Sequence, residues 1–371
     1  MFTRYLTAAL TLLGLSLCAG KVINVRDFGA KGDNKADDRP AFTKAFEAAA
    51  AAGPGTKVII PKGIYRMKSF QDTRPRYAGH VVAKNIVNSV VEAEPGAILM
   101  MTKRGNGFMI YKCDKTVFKN IVVDYDPLPF TQGTVTAFDP VANTIDVIID
   151  KGFPLPTEKW FTDDRAIRNM LNFHNPDGTV KRDLIVNWVA GATELKDGKV
   201  RIKLRNKVRK GVKIPGLRFI EVARGGYIQG HAFALNRSRN ITLLKTIVYS
   251  AFNCSYLISE CDRTTLDGCV AGIKPGTSRL ISSNADGIHA KHNRNELLIQ
   301  NCRIEHTSDD IVNVAGTYMR VCDQSAPNKV IVDIDVNGKT GDEYVFFDFA
   351  TAKVLYRGRC IARKSLKWRK Q

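Results

Sequence analysis

Apolar and polar residues alternate along this chain in short runs, and the runs recur. Ile23 and Val25 open one such run ahead of a turn at Gly29 and Gly32. The period then changes. Phe42, Ala45, Phe46 and Ala49 recur at helical spacing, Asp38 stands where an N-cap belongs, and Pro40 falls in the tolerated first turn. Gly53-Pro54-Gly55 ends the helix, and Val58 to Tyr65 reads as strand, turn, strand. Farther on, a longer pattern repeats. Cys113-Asp114-Lys115-Thr116-Val117-Phe118 returns as Cys261-Asp262-Arg263-Thr264-Thr265-Leu266, with looser copies at Asn240 to Leu243 and Glu296 to Ile299. Three residues beyond Leu243, Leu266 and Ile299 stand Thr246, Cys269 and Cys302, which predicts a column of small side chains inside a solenoid. No single copy can bury its apolar face alone, so the copies must stack as coils. The helix near the start suits the cap that an open solenoid end requires.

The repeat breaks twice. From Asp126 to about Glu221 the strands at Thr134 to Ala137, Thr144 to Ile148 and Lys199 to Leu204 alternate as half-buried antiparallel strands do, with turns at Asp139-Pro140 and Asp197-Gly198. This reads as an inserted small barrel or sandwich. Coils resume near Gly226 to His231. After Val314-Ala315-Gly316 another strand-rich module begins, with runs at Lys329 to Ile334 and Glu343 to Phe347. The expected order is an export signal over 1–20, a cap and first coils over 21–125, and a barrel over 126–222. Further coils follow over 223–316 and part of a second barrel over 317–371.

Composition narrows the setting. Arg4 followed by the apolar run Leu6 to Leu17 and the small residues of Cys18-Ala19-Gly20 reads as a secretory signal, too short to span a bilayer. A secreted or periplasmic protein is expected, with no membrane partner. The chain holds eight cysteines; one leaves with the signal and the remaining seven are scattered, which argues against a disulfide framework. No Cys-x-x-Cys pair occurs, so no metal site is expected. The net charge of +20 attracts polyanions. Its densest runs, Lys203 to Lys213 and Arg357 to Lys370, lack the interleaved aromatics of a single-strand nucleic-acid groove, so no nucleic-acid partner is expected. Nothing in the sequence fixes an oligomeric state.

The chemistry concentrates in two clusters, Asn284-Ala285-Asp286-Gly287-Ile288-His289 and Thr307-Ser308-Asp309-Asp310-Ile311. Asp286 and Asp309 are 23 residues apart, about one coil of a solenoid. Coils stack at roughly 4.8 Å, so the three carboxylates are expected to meet. Carboxylates that close do not all ionise normally, and an acid beside a base is what glycoside hydrolysis uses. In a regular strand Asp309 and Asp310 would face opposite ways, so both can serve only where the backbone bends. His289, Lys291, Arg294 and His306 flank the clusters as candidate sugar contacts. Glu260, 26 residues before Asp286, is a further candidate on a neighbouring coil.

Val25 to Asp33 and Ile60 to Tyr65 resemble the start of the pectate-lyase-like parallel β-helix superfamily. The two acidic clusters, Tyr125 to Gly133, His231 to Asn236 and Ile247 to Ala251 resemble glycoside hydrolase family 110, the inverting α-1,3-galactosidases. That resemblance implies an all-β fold, a right-handed parallel β-helix interrupted by two small barrels. It implies an exo-acting enzyme without a cofactor that removes terminal α-1,3-linked galactose from an oligosaccharide or polysaccharide. By similarity to related β-helix hydrolases, Asp309 is the general acid, with Asp286 and Asp310 holding and deprotonating water. Family members continue through a full second barrel and more coils, so the resemblance implies a truncated chain here. Three alternatives stay open: a polygalacturonase-like hydrolase, in which Ala285 would replace a Thr, a polysaccharide lyase, and an inactive carbohydrate-binding protein.

Overall fold

The computed structural model describes residues 20–69, 78–162, 169–184, 186–209, 211–223, 230–316, 318–333 and 338–364. Most of the expected export segment, the start of the resumed coils at Gly226 and the end of the basic tail lie outside them.

Three parallel sheets run the length of the molecule, and each coil contributes one strand to each sheet. One representative coil places Phe108–Tyr111 in the third sheet, Asp114–Lys119 in the first and Val122–Tyr125 in the second. This is the parallel β-helix that the repeats predict. The corners follow a rule of their own. Lys112, Arg237, Glu260 and His292 each leave a third-sheet strand with φ between 48° and 58°, a left-handed turn that redirects the chain into the first sheet.

The interior is built from stacked equivalents. Phe108, Phe233 and Tyr256 lie on three successive rungs, with ring centroids 5.8 and 5.4 Å apart. Thr246 and Cys269 are fully buried in the expected small-residue column, with Oγ1 and Sγ 3.3 Å apart, and Cys302 follows at the less buried end. The helix Arg39–Ala52 covers the first end. Its Phe46 packs edge-on to Phe108 at 5.6 Å, and its Phe42 packs against Tyr65 at 5.2 Å. Each buried Phe stabilises that lid by roughly 1.5–3 kcal/mol. Asp38 holds the N-cap position but makes no cap bond. Its carboxylate accepts from the N–H groups of Lys31 and Gly32 instead, tying the opening turn to the helix.

The insertion is a closed six-stranded antiparallel barrel: Phe130–Asp139, Thr144–Ile149, Met170–His174, Asn187–Glu194, Val200–Leu204 and Arg218–Val222. Val135, Ile145, Val147, Phe173, Ile202 and Phe219 fill it. The barrel leaves the stack after Tyr125, and the coils on either side pair directly, with Phe108 opposite Phe233 and Val122 opposite Ile247. The part of a second barrel expected over 317–371 falls on paired antiparallel strands. Among the described residues beyond 316 there are two separate hairpins, Val321–Ala326 with Lys329–Val332 and Glu343–Phe347 with Val354–Arg359.

Candidate active site

The third sheet positions the acids. Ile288–Lys291 pairs with Tyr256–Ser259 on one side and with Val312–Ala315 on the other. Just before these strands the rungs continue through single hydrogen bonds. Ala232 N donates to Cys254 O, Ser255 N to Asp286 O, and Gly287 N to Asp310 O. His231, Cys254, Asp286 and Asp310 therefore occupy equivalent places on four successive coils. Asp309 and Asp310 lie in a bend, where Thr307 Oγ1 donates to Asp309 O and Asp310 N reaches Asp309 Oδ1 at 3.2 Å. The bend removes the alternation that would send the two side chains apart. As a result Asp286, Asp309 and Asp310 each present a carboxylate oxygen within 4.8 Å of the others. Asp286 is only 5% exposed and forms the floor, while Asp309 and Asp310 form an exposed rim. Gly287 is required here. A Cβ at this position would sit 2.1 Å from Ile304 Cγ2 and 2.7 Å from Ile311 O.

The ring of His289 belongs to the same group, with Nδ1 2.5 Å from Asp286 Oδ2. Cys254 joins on the other side, so that Cys254, Asp286 and His289 also offer donor atoms within 4.8 Å of one another. His231 lies beyond Cys254. Burial, and then the neighbouring His289, push its imidazole down to about 3, against the pull of Asp286.

A long loop holds the first acidic cluster in place. Tyr256 pairs with Ile288, so this coil takes 32 residues where the one before it, from Phe233 to Tyr256, takes 23. The extra length is anchored at several points. Arg279 grips the fully buried Asp124 carboxylate through two nitrogens at 2.8 and 3.0 Å, Lys274 Nζ adds a third contact at 3.0 Å, and Ser250 Oγ donates at 2.7 Å. Burial opposes the charge on Asp124, yet Arg279, Ser250 and Lys274 hold its carboxyl below the usual range. On the barrel side, Gln132 Nε2 donates to Ser278 O, and Leu280 N donates to Gln132 Oε1. Asn284 Nδ2 donates to Pro129 O at 2.7 Å, so the residue two before Asp286 rests on the barrel junction.

The other expected contacts are dispersed. Lys291 ends the strand that Asp286 precedes, roughly 16 Å along an extended chain. Arg294 lies in the first sheet and pairs with Asp342. His306 sits in a left-handed corner (φ 57°), where its carbonyl accepts from Ser282 N, and it interacts electrostatically with His174 on the barrel. Glu260 is not part of the group. It stands in the corner at the opposite end of its strand and pairs with Arg237 at 2.7 Å. The separation of 26 residues suggested an adjacent rung, but the coil is 32 residues long, and its register sets Cys254, not Glu260, against Asp286. Cys254, His231, Asp124 and Arg279 were not singled out for the site by sequence. Asp124 and Arg279 are 155 residues apart, and no local pattern joins them.

A family model described as rhamnogalacturonase A/epimerase, pectate lyase-like, matches residues 22–72. Alpha-1,3-galactosidase A of Shewanella woodyi is 24% identical over 347 residues, covering 86% of this chain. Alpha-1,3-galactosidase B of Bacteroides thetaiotaomicron is 26% identical over 356 residues, covering 88% of it. The chain is similar to these α-1,3-galactosidases over most of its length. It spans 55% of the length of each of these two galactosidases. Among solved structures, a family 28 exopolygalacturonase of Yersinia enterocolitica superposes with a TM-score of 0.42 at 15% identity, over 80% of this chain and 45% of that one. The stretch shared with the galactosidases takes in most of this chain, and the acidic trio sits within the coils that the repeat predicts.

Proposed function

We propose that this protein is a glycoside hydrolase that removes terminal α-1,3-linked galactose from oligosaccharides or polysaccharides. The observation that carries the reading is the convergence of Asp286, Asp309 and Asp310 from two adjacent coils to within 4.8 Å. The names of the two galactosidases supply the substrate class. Asp309, on the exposed rim, protonates the departing oxygen. Asp286 and Asp310 hold and deprotonate the water. His289, bonded to Asp286, fixes the orientation of that carboxylate. An inverting pair leaves roughly 6.5–9.5 Å between its carboxyl groups for water, and the nearest oxygens here are closer. Support for inversion therefore comes from the family resemblance alone. The apolar opening segment supports export to the periplasm or beyond, and among the described residues no helix is long and apolar enough to cross a membrane.

Galactose release from an α-1,3-galactosyl oligosaccharide by the wild type and by Asp309→Asn tests the assignment. A fall of roughly 10²–10⁴-fold in the variant is expected of a lost general acid. Equal rates would remove Asp309 from the mechanism. Proton NMR of the first-formed sugar reads the stereochemistry: β-galactose means inversion and α-galactose means retention. The acidic trio also favours a second reading, a cation-dependent lyase acting on uronates, because three carboxylates this close can serve as cation ligands. Unsaturated products detected by absorbance, and lost on adding a chelator, would favour it.

A further inference from the structure

The stack that ends in the acids contains more than acids. His231, Cys254 and Asp286 occupy the same place on three successive coils, and His289 folds back onto Asp286. Cys254 Sγ, a carboxylate oxygen of Asp286 and a ring nitrogen of His289 already lie within 4.8 Å of one another. Thiolate, imidazole and carboxylate together are the donor set that zinc takes, at roughly 2.0–2.3 Å per bond in a tetrahedron. Closing the three donors onto one ion needs movements of about 1 Å. A second observation points the same way. His231 Nδ1 is buried with no hydrogen-bond partner among the described residues, although leaving a buried polar atom unpaired is costly. The residue is 7% exposed, stands next to Cys254 in the stack and feels both Asp286 and His289.

We propose that Cys254, Asp286 and His289 form a binding site for a borderline-soft divalent metal ion, of which Zn²⁺ is the best match, and that His231, which lies outside their 4.8 Å group, completes it by turning its Nδ1 inward. On binding, the Cys254 thiol gives its proton to the buffer as the sulfur–metal bond forms. The metal replaces the proton between the His289 ring and Asp286, and the ring carries its proton on Nε2. No electron is transferred. The hard acidic rim of Asp309 and Asp310 is left outside the ion's coordination. Zinc at this place occupies Asp286 and so blocks the acid–base set. That consequence rests on the hydrolase reading, whereas the binding itself does not. Sequence spacing gave no sign of the site, because its ligands come from three coils.

Titration with Co²⁺ alone tests the binding without any turnover, so its result is independent of the galactose assay. The titration uses a parent carrying Cys302→Ser, Cys322→Ser and Cys360→Ser, which removes the other incompletely buried thiols among the described residues. One cobalt per chain with a thiolate-to-cobalt charge-transfer band is expected. Cys254→Ser should abolish the band, and His231→Gln should keep it while weakening cobalt binding by at least the roughly 10–100-fold that loss of an outer-shell partner costs. Far-ultraviolet circular dichroism checks that each variant folds. His289→Gln is the second test of the same site. Its side chain is 25% exposed, so the change does not hollow the interior, and cobalt binding should weaken similarly. The absence of a saturable band in the parent protein, or a full-strength band in Cys254→Ser, would overturn the proposal. A band unaffected by both His231→Gln and His289→Gln would overturn it as well.

Discussion

Glu221 sits fully buried on the barrel strand Arg218–Val222, two residues from the junction that supports Asn284. Asn169 Nδ2 donates to its Oε1 at 2.8 Å, but among the described residues its Oε2 has no partner, and neither does the neighbouring Thr131 Oγ1. Burial raises the carboxyl from 4.5 to about 8, only partly offset by Asn169. Between those two pH values the folded protein holds a proton that the unfolded chain has released. Stability must therefore fall as pH rises through that window, and the contribution is complete only below about pH 4.5. At about 1.4 kcal/mol per unit, the 3.5-unit gap sets a ceiling of about 5 kcal/mol lost by pH 8. Glu221→Gln keeps the shape and the hydrogen-bonding group but cannot ionise. Urea unfolding of both proteins, followed by fluorescence of Trp188 in the barrel, should give curves that converge near pH 5 and separate by a few kcal/mol near pH 8, with the variant the more stable. Parallel pH profiles would show that Glu221 is not carried as a buried acid.

Other changes probe the scaffold around the acids. Asp124→Asn leaves the nearly buried Arg279 without its counter-charge and should cost about 3–5 kcal/mol, read as a lower melting temperature together with weaker catalysis from the loosened loop. Gly287→Ala drives a Cβ into Ile304 and the Ile311 carbonyl, and should cost about 1–3 kcal/mol in thermal unfolding while reducing galactose release. Phe233→Ala removes the middle ring of the interior stack and should cost about 3–5 kcal/mol by denaturant unfolding.

The acidic trio was legible because its spacing matches one coil and the coil sets the rung. Asp286 and Asp310 then meet through ordinary parallel pairing at Ile288 and Val312. The barrel was legible because its alternation differs from that of the coils. Glu260 misled because a coil's length is not written in its motif. The loop anchored by Arg279 lengthened the step and shifted the register by several residues. The Asp124 and Gln132 anchors were hidden for a related reason. Their partners lie 146 to 155 residues away, brought near only once the barrel has closed and the coils have resumed. Helix capping by Asp38 failed locally. The unpaired N–H groups of Lys31 and Gly32 compete for the same carboxylate, and they win.

The barrel departs and returns at one corner of the stack, and Phe108 pairs with Phe233 as if nothing intervened. Strands of such an insertion that lie far from Pro129 and Gln132, its two anchors on the loop before Asp286, can lengthen or shrink without disturbing the alignment of the rungs behind it. The outward side of the barrel can thus change shape while the acids stay where the pleat put them.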